Sequence, residues 1–276
     1  MNRILSIIII ICVILFILSL ILASFIYRSL FFKFKHKMKV SGGILSYMYI
    51  YKEIFIDKCY DFSLNLNNKV VLDIGTNIGL YSLWLNEKYT NLKVHCFEPI
   101  DVLYQTAVYN INNTKKEDNI FYINNIGLSN KKEEKYINYF PNASGLSTVC
   151  SDFEQKLDVI GKGSLINKYL VGKTVRNKEK IKIRLDTIKN YIIQNNLNEI
   201  ELCKIDVECS ELMIMEGFQE YVNNVKYYII EIENYRNEYL NKIKIILINY
   251  DIFIKNEKES WIILFAKRKN KKNNIF

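Results

Sequence analysis

The stretch that most constrains this chain runs from Val70 to Leu85. Val70-Val71-Leu72-Asp73-Ile74 is a short, largely β-branched run, Gly75-Thr76-Asn77-Ile78-Gly79 follows, and Leu80-Tyr81-Ser82-Leu83-Trp84-Leu85 is mostly apolar. That order reads as a buried parallel strand, a tight glycine turn and a helix. Such a unit makes a ligand seat, because glycine lets backbone approach a ligand and a helix N-terminus offers unpaired N–H groups. A carboxylate is then expected at the end of the next strand, to hold a ribose. Val94-His95-Cys96-Phe97-Glu98 supplies it in Glu98, 25 residues after Asp73.

The turn has the spacing D-x-G-x-N-x-G, with Asp73, Gly75, Asn77 and Gly79 as its fixed positions. Dinucleotide-binding turns carry G-x-G-x-x-G instead. The pattern resembles motif I of S-adenosylmethionine-dependent methyltransferases. In that family an acid near the end of the first strand reaches the cofactor's amino-acid part, and the acid ending the second strand holds the ribose. Asp73 and Glu98 match those two positions.

Further elements alternate in an α/β order. A second strand covers about Leu92 to Phe97, Pro99 breaks the chain, and a helix runs from about Val102 to Asn110. The third strand lies near Asn119 to Asn124. Asn125 follows in a turn at the ligand edge, where its amide either reads an adenine edge or simply serves the turn. Lys135 to Tyr139 alternates as a strand. Cys150 to about Lys178 shows no period, and reads either as a substrate-facing insertion or as a surface loop. Ile181 to Ile188 is a strand passing into a helix, with Asp186 as its expected N-cap. Glu201 to Glu208 is the fourth parallel strand, Glu211 to Gly217 the next helix, Tyr227 to Glu231 the fifth strand, and Tyr235 to Ile245 a helix. Ile246 to Ile254 and Ser260 to Ala266 close the chain as an antiparallel pair.

Four pieces in this order resemble the FkbM-type methyltransferases: V-L-D-I-G-T-N-I-G from Val71, Phe97-Glu98-Pro99, Arg184-Leu185-Asp186-Thr187, and Lys204-Ile205-Asp206-Val207-Glu208. Glu211, Leu212 and Gly217 extend the last piece. The family usually has Gly where this chain has Cys209, a departure that would narrow the pocket or slow turnover. The resemblance covers about residues 44 to 267 and implies a doubly wound, mostly parallel sheet of the Rossmann-like class I methyltransferase kind, ended by the antiparallel pair. It also implies methyl transfer from S-adenosylmethionine, usually to a hydroxyl of a sugar or natural product.

Methyl transfer to oxygen needs alignment and a proton acceptor, for which a carboxylate at the end of the fourth strand is expected. Asp206 and Glu208, two apart, share a face if the strand extends that far. Asp206 is read as the partner of acceptor or cofactor amine and Glu208 as the base, while Glu211 is equally a helix cap. His95 reads as a core histidine with a reserve role as base. Glu231 and Glu233 end the fifth strand, as sugar partners or as caps. No metal is expected, for want of a third clear ligand.

Before this domain, Ile4 to Tyr27 carries no charged residue and as a helix spans about 36 Å, enough for a bilayer core. It is read as a single-pass anchor over residues 1–27 rather than a cleaved signal. A basic linker spans 28–43, the methyltransferase domain 44–267 and a basic tail 268–276. Arg28, Lys33, Lys35, Lys37 and Lys39 follow the span, which places the body in the cytosol by the positive-inside rule. A lumenal body would suit glycan modification and the sequons at Asn112 and Asn142.

The net charge is +9. Setting aside Arg3, the five basic residues after the span, and Lys267, Arg268, Lys269, Lys271 and Lys272 leaves 27 basic against 29 acidic residues, so no nucleic-acid-binding face is expected. Six cysteines show no C-x-x-C pairing and call for neither zinc nor an oxidising compartment. The favoured acceptor is a carbohydrate hydroxyl. A lipid-linked or small-molecule hydroxyl, or a tethered non-catalytic module with a decayed cofactor pocket, are the alternatives.

Overall fold

The computed structural model describes residues 2–149, 177–233, 237–258 and 261–270. Its centre is a seven-stranded sheet in which local sequence dictates burial. Strand β1 (Val70–Ile74) is enclosed from Val71 onward. It pairs in parallel with β2 (Lys93–Phe97) on one side and β7 (Ile200–Ile205) on the other. Beyond β2 lies β3 (Ile120–Asn124), and beyond β7 lies β8 (Val225–Glu233), both parallel. The pair β9 (Tyr250–Lys258) and β10 (Trp261–Arg268) closes the edge, with β10 antiparallel to both β8 and β9. The full order is β3-β2-β1-β7-β8-β10-β9. Strand order reverses at β1, and the crevice at the carboxyl ends of β1 and β7 is where such a sheet binds its ligand.

Helices cover both faces, as the continuous apolar runs of a parallel sheet require. On one face, α3 (Leu80–Lys88) and α4 (Asp101–Asn112) bury Leu80, Leu83, Leu85, Leu103, Ala107 and Ile111. The other face is covered by α5 (Ile188–Gln194), α6 (Glu211–Phe218) and α7 (Asn237–Ile246), which bury Ile188, Ile192, Met215, Phe218 and Ile243.

The structure corrects two expectations and adds a sheet that the sequence did not announce. Helix α5 is capped by Thr187, whose hydroxyl accepts from Asn190 N at 3.1 Å; Asp186 instead accepts from Thr187 N and Asn190 Nδ2. Both residues are good caps, and β6 (Glu179–Thr187) runs one residue further than Asp186. The closing strand begins at Tyr250, since α7 continues to Ile246 and a turn follows. Finally, β6 joins no part of the main sheet. It pairs in parallel with β4 (Gly127–Ser129) and antiparallel with β5 (Glu133–Tyr139), a second, three-stranded sheet over the crevice. Residues 150–176, the aperiodic stretch, lie outside the described residues, as does most of the basic tail.

The N-terminal helix α1 spans Asn2–Lys35, a single element through both the apolar stretch and the first basic residues. Its far end packs on the body: Ser29 and Phe32 are buried, and Met38 beyond the helix is too. A short α2 (Ile44–Tyr51) continues as one π-helical turn over Lys52–Ile56.

His95 lies in the core of β2. Its Nδ1 is 2.8 Å from Tyr191 Oη and its ring stacks on Tyr122 at 4.6 Å. Burial pushes its pKa down to about 4, with Lys93 adding to the effect. The unfolded chain therefore binds a proton near pH 6.5 that the folded chain refuses until about pH 4, and stability falls as pH drops across that window. His95→Gln is expected to lose about 2 kcal/mol less than wild type between pH 7 and pH 5. Urea melts at the two pH values check this, and an identical loss in both proteins refutes it.

Candidate active site

The turn after β1 is shaped by its own residues. Gly75, Asn77 and Gly79 all have positive φ, of 82°, 51° and 94°. Gly75 N and Thr76 N donate to Phe97 O, and Thr76 Oγ1 donates to Asp73 O while accepting from Phe97 N, which locks the turn to β2. A Cβ on Gly75 would lie 1.8 Å from the carbonyl oxygen of Asp206. Only glycine fits there, because the backbone of the turn and that of the chain after β7 are nearly in contact.

Glu98 ends the second strand as expected. Its Oε2 accepts from Asn77 N at 3.0 Å and its Oε1 from Ile100 N at 2.9 Å. Burial pushes its pKa up to about 7, against the pull of those two N–H groups. Asn125 donates its amide to the carbonyls of Glu98 and Pro99, tying the loop before β4 to the end of β2. Beside it opens a small cleft lined among others by Phe97, Pro99, Leu128, Ile137, Val149 and Leu185. Its apolar walls suit a flat aromatic base.

Asp73 is fully enclosed under the turn. Its Oδ2 accepts from Ser82 Oγ at 2.7 Å, while Oδ1 has no hydrogen bond among the described residues. Lys204 Nζ stands 3.7 Å from that oxygen, 3.0 Å from Asp206 Oδ2 and 3.3 Å from Gly75 O. Lys204 is only 3% exposed. Burial opposes its charge, but Asp206 and Asp73 more than offset this and its pKa is raised. Desolvation raises that of Asp73, with Lys204 and Ser82 working the other way.

Sequence reasoning quoted Lys204 only as part of a motif, and missed two further residues. Tyr60 reaches in from the loop after the π turn and donates to Glu231 Oε2 at 2.5 Å, with Asp206 Oδ2 at 3.3 Å. Glu53, buried within the π turn, adds its charge, and burial followed by repulsion from Asp206 and Glu53 holds Glu231 well above the usual carboxylate range. The signal for Lys204 was a lysine in an otherwise apolar strand, which has to be paired when buried. Tyr60 and Glu53 left no comparable signal.

Asp206 and Glu208 do not share the face of an extended strand. Strand β7 ends at Ile205, and Glu208 and Cys209 turn through φ of 54° and 80°. Asp206 therefore points into the Lys204–Tyr60 network, whereas Glu208 lies on a turn between Val207 and Ser210, both of which line the cleft. Cys209 adopts the left-handed conformation that glycine favours, so the turn keeps its shape with a side chain present. Glu211 opens α6, and its Oε1 accepts from Cys209 N in the preceding turn at 2.9 Å. Among the described residues no His, Cys, Asp and Glu cluster is arranged to hold a metal ion.

Residues 73–255 match the family model for the methyltransferase FkbM domain, a span from Asp73 into β9. The chain belongs to the FkbM methyltransferase family. Methyltransferase sdnD of Sordaria araneosa is 32% identical over 179 residues, covering 62% of this chain and 69% of that protein. The 31-O-demethyl-FK506 methyltransferase FkbM of Streptomyces tacrolimicus is 24% identical over 181 residues, covering 62% and 68%. A crystal structure of methyltransferase FkbM from Methylobacillus flagellatus KT superposes with a TM-score of 0.46 at 15% identity, over 78% of this chain and 47% of that one.

As an FkbM methyltransferase the chain uses S-adenosylmethionine. The site fits that cofactor. A buried carboxylate oxygen of Asp73 lacks a hydrogen-bond donor, and Glu98 stands at the end of β2 beside an apolar cleft.

Proposed function

We propose that this protein is a membrane-anchored O-methyltransferase whose acceptor is a hydroxyl of a sugar or glycan. The observation that carries the reading is the chemistry at the ends of β7 and β8. Asp206, Glu231 and the Tyr60 hydroxyl gather beside Lys204 and the cofactor turn, and groups of this kind bond hydroxyls.

In this reading Gly75, Asn77 and Gly79 seat the cofactor, Glu98 accepts from its ribose hydroxyls and Asp73 faces its amino-acid part. Asn125 holds the loop at the adenine end. The cofactor supplies a methyl group on a sulfonium. Asp206, fixed by Lys204 and Tyr60, orients the acceptor hydroxyl, and Glu208 at the cleft takes its proton. Alignment provides most of the rate, so these groups are held by buried partners rather than left on a loose surface. The apolar part of α1 is the anchor, and the basic residues after it keep the body in the cytosol.

The test is incubation of the purified full chain with methyl-labelled S-adenosylmethionine and separated glycan, lipid-linked and small-molecule fractions. Label in a glycan, stable to mild alkali as an ether is, supports the reading. Alkali-labile or nitrogen-bound label contradicts oxygen transfer to a hydroxyl, and no transfer by a folded, cofactor-binding protein favours a tethered module.

A further inference from the structure

Helix α1 does not end at the membrane boundary. It runs on through Lys35, and its last turns are built into the body. Tyr47 of α2 donates its hydroxyl to Ser29 O at 2.6 Å, and Phe32 packs against Tyr51 and Phe55 with ring centroids 5.3 and 4.5 Å away. His36 lies 2.9 Å from Glu87 at the end of α3. The body is therefore fixed to the helix.

That attachment sets a depth. Ser29 and Phe32 follow the last apolar residue, Tyr27, by two and five positions, or about 3 and 8 Å along the axis. The headgroup layer is about 5–7 Å thick on each side. α2 therefore lies at the level of the headgroups. Its outer side carries Ile44, Leu45 and Tyr49, which are 43%, 61% and 48% exposed. Exposed Tyr27 and Phe31 lie at the same depth, as in the aromatic belts of membrane proteins. Arg28, Lys35, Lys37 and Lys39 are exposed there as well, placed to meet anionic lipid.

The same helix leads into the site. Tyr49 hydrogen-bonds Glu53 and Trp261, and Glu53 faces Glu231 and Tyr60 electrostatically. About one turn of helix separates Tyr49 from Glu53, and about two turns separate Leu45 from it.

We propose that the face of α2 bearing Ile44 and Leu45 is seated in the bilayer interface, which holds the Glu53–Tyr60–Glu231 group close to the membrane and lets the enzyme take a glycan carried on a lipid. The inference rests on α1 being an anchor and on transfer to a glycan hydroxyl. Seating at the interface brings that group to a lipid-borne acceptor by diffusion in two dimensions and leaves a free glycan in solution at a disadvantage.

The test uses the full chain in phosphatidylcholine–phosphatidylglycerol vesicles, with Cys12 and Cys150 replaced by serine. A nitroxide is attached in turn at Leu15→Cys, Leu45→Cys and Tyr136→Cys, and its relaxation by oxygen and by a water-soluble nickel chelate is measured. The expected result is a label at 45 that is several-fold less accessible to nickel than the one at 136 and shallower than the one at 15. A label at 45 that behaves like the one at 136, while 15 is shielded, overturns the proposal and leaves the anchor standing. A label at 15 open to nickel removes the anchor, and the proposal with it. In the transfer assay, label extractable into organic solvent with its lipid supports the acceptor class. Label confined to water-soluble glycan overturns it without touching methyl transfer.

Discussion

Lys204→Met is expected to destabilise the protein by about 3–5 kcal/mol, the usual cost of removing one partner from a buried ion pair. Asp73 is fully enclosed, and Lys204 is the cation that the structure sets against both it and Asp206. The methionine side chain nearly conserves volume, so the loss reports charge rather than a cavity. Melting should fall by about 10 °C for a domain of this size. Adding Asp73→Asn removes one of the two stranded charges, so the double variant is expected to melt above Lys204→Met alone. A single variant that melts like wild type, or a double variant that melts at the sum of the two losses, refutes the pairing. Differential scanning fluorimetry of the three proteins decides it.

Gly75→Ala is expected to be nearly as severe, for a different reason. The added methyl would lie 1.8 Å from a backbone carbonyl oxygen and sit on a residue at φ 82°. Neither backbone can yield cheaply, since Asp206 N donates to Ile74 O and Gly75 N to Phe97 O. The turn has to move, and a displacement of about 1 Å at a cofactor seat costs on the order of 100-fold. The rate of methyl transfer should fall by about that factor, and affinity for S-adenosylhomocysteine should fall with it. At Gly79 a Cβ would meet the Ile111 side chain at 3.3 Å and Ala107 Cα at 3.6 Å, the latter an ordinary contact, so Gly79→Ala should be milder, its cost coming mainly from φ 94°. Equal losses in the two variants would contradict this ranking.

How much of this was legible in the sequence follows from which interactions are local. The β1 turn, Glu98 and the succession of strands were read from residues close in sequence, because apolar runs and glycine spacing act over a few residues. The closing antiparallel pair was legible for the same reason. Lys204 was not assigned a role because its partners, Asp73 and Asp206, meet it only once β1 and β7 lie side by side. Tyr60 was legible only as one of the tyrosines between Ile44 and Phe62, a lead-in segment whose tyrosines and isoleucines read either as the mouth of a substrate cleft or as core, and Glu53 carried no signal; in the structure much of the segment is core, with Tyr47, Tyr51 and Ile54 buried. Glu208 was placed on an extended strand because nothing in Asp206-Val207-Glu208 announces the left-handed turn. Cys209 hid it, since the glycine that usually marks such a turn is absent. The three-stranded sheet was out of reach because β6 and its partners β4 and β5 are separated by residues that carry no periodic signal.

The central claim is that the Gly75–Gly79 turn and Glu98 form an S-adenosylmethionine site. The most direct measurement is calorimetric titration of the full chain with S-adenosylhomocysteine, for wild type and Glu98→Ala, at pH 6, 7 and 8. Ribose hydroxyls favour the ionised carboxylate, and Glu98 titrates at about 7 in the free protein. Binding should therefore weaken as pH falls through 7 and should release part of a proton near neutrality. The account predicts micromolar affinity, about −8 kcal/mol, for wild type, and loss of both the affinity and the pH dependence in a Glu98→Ala protein that remains folded. A folded wild type that does not bind, or a Glu98→Ala protein that binds as tightly with the same pH profile, would contradict it.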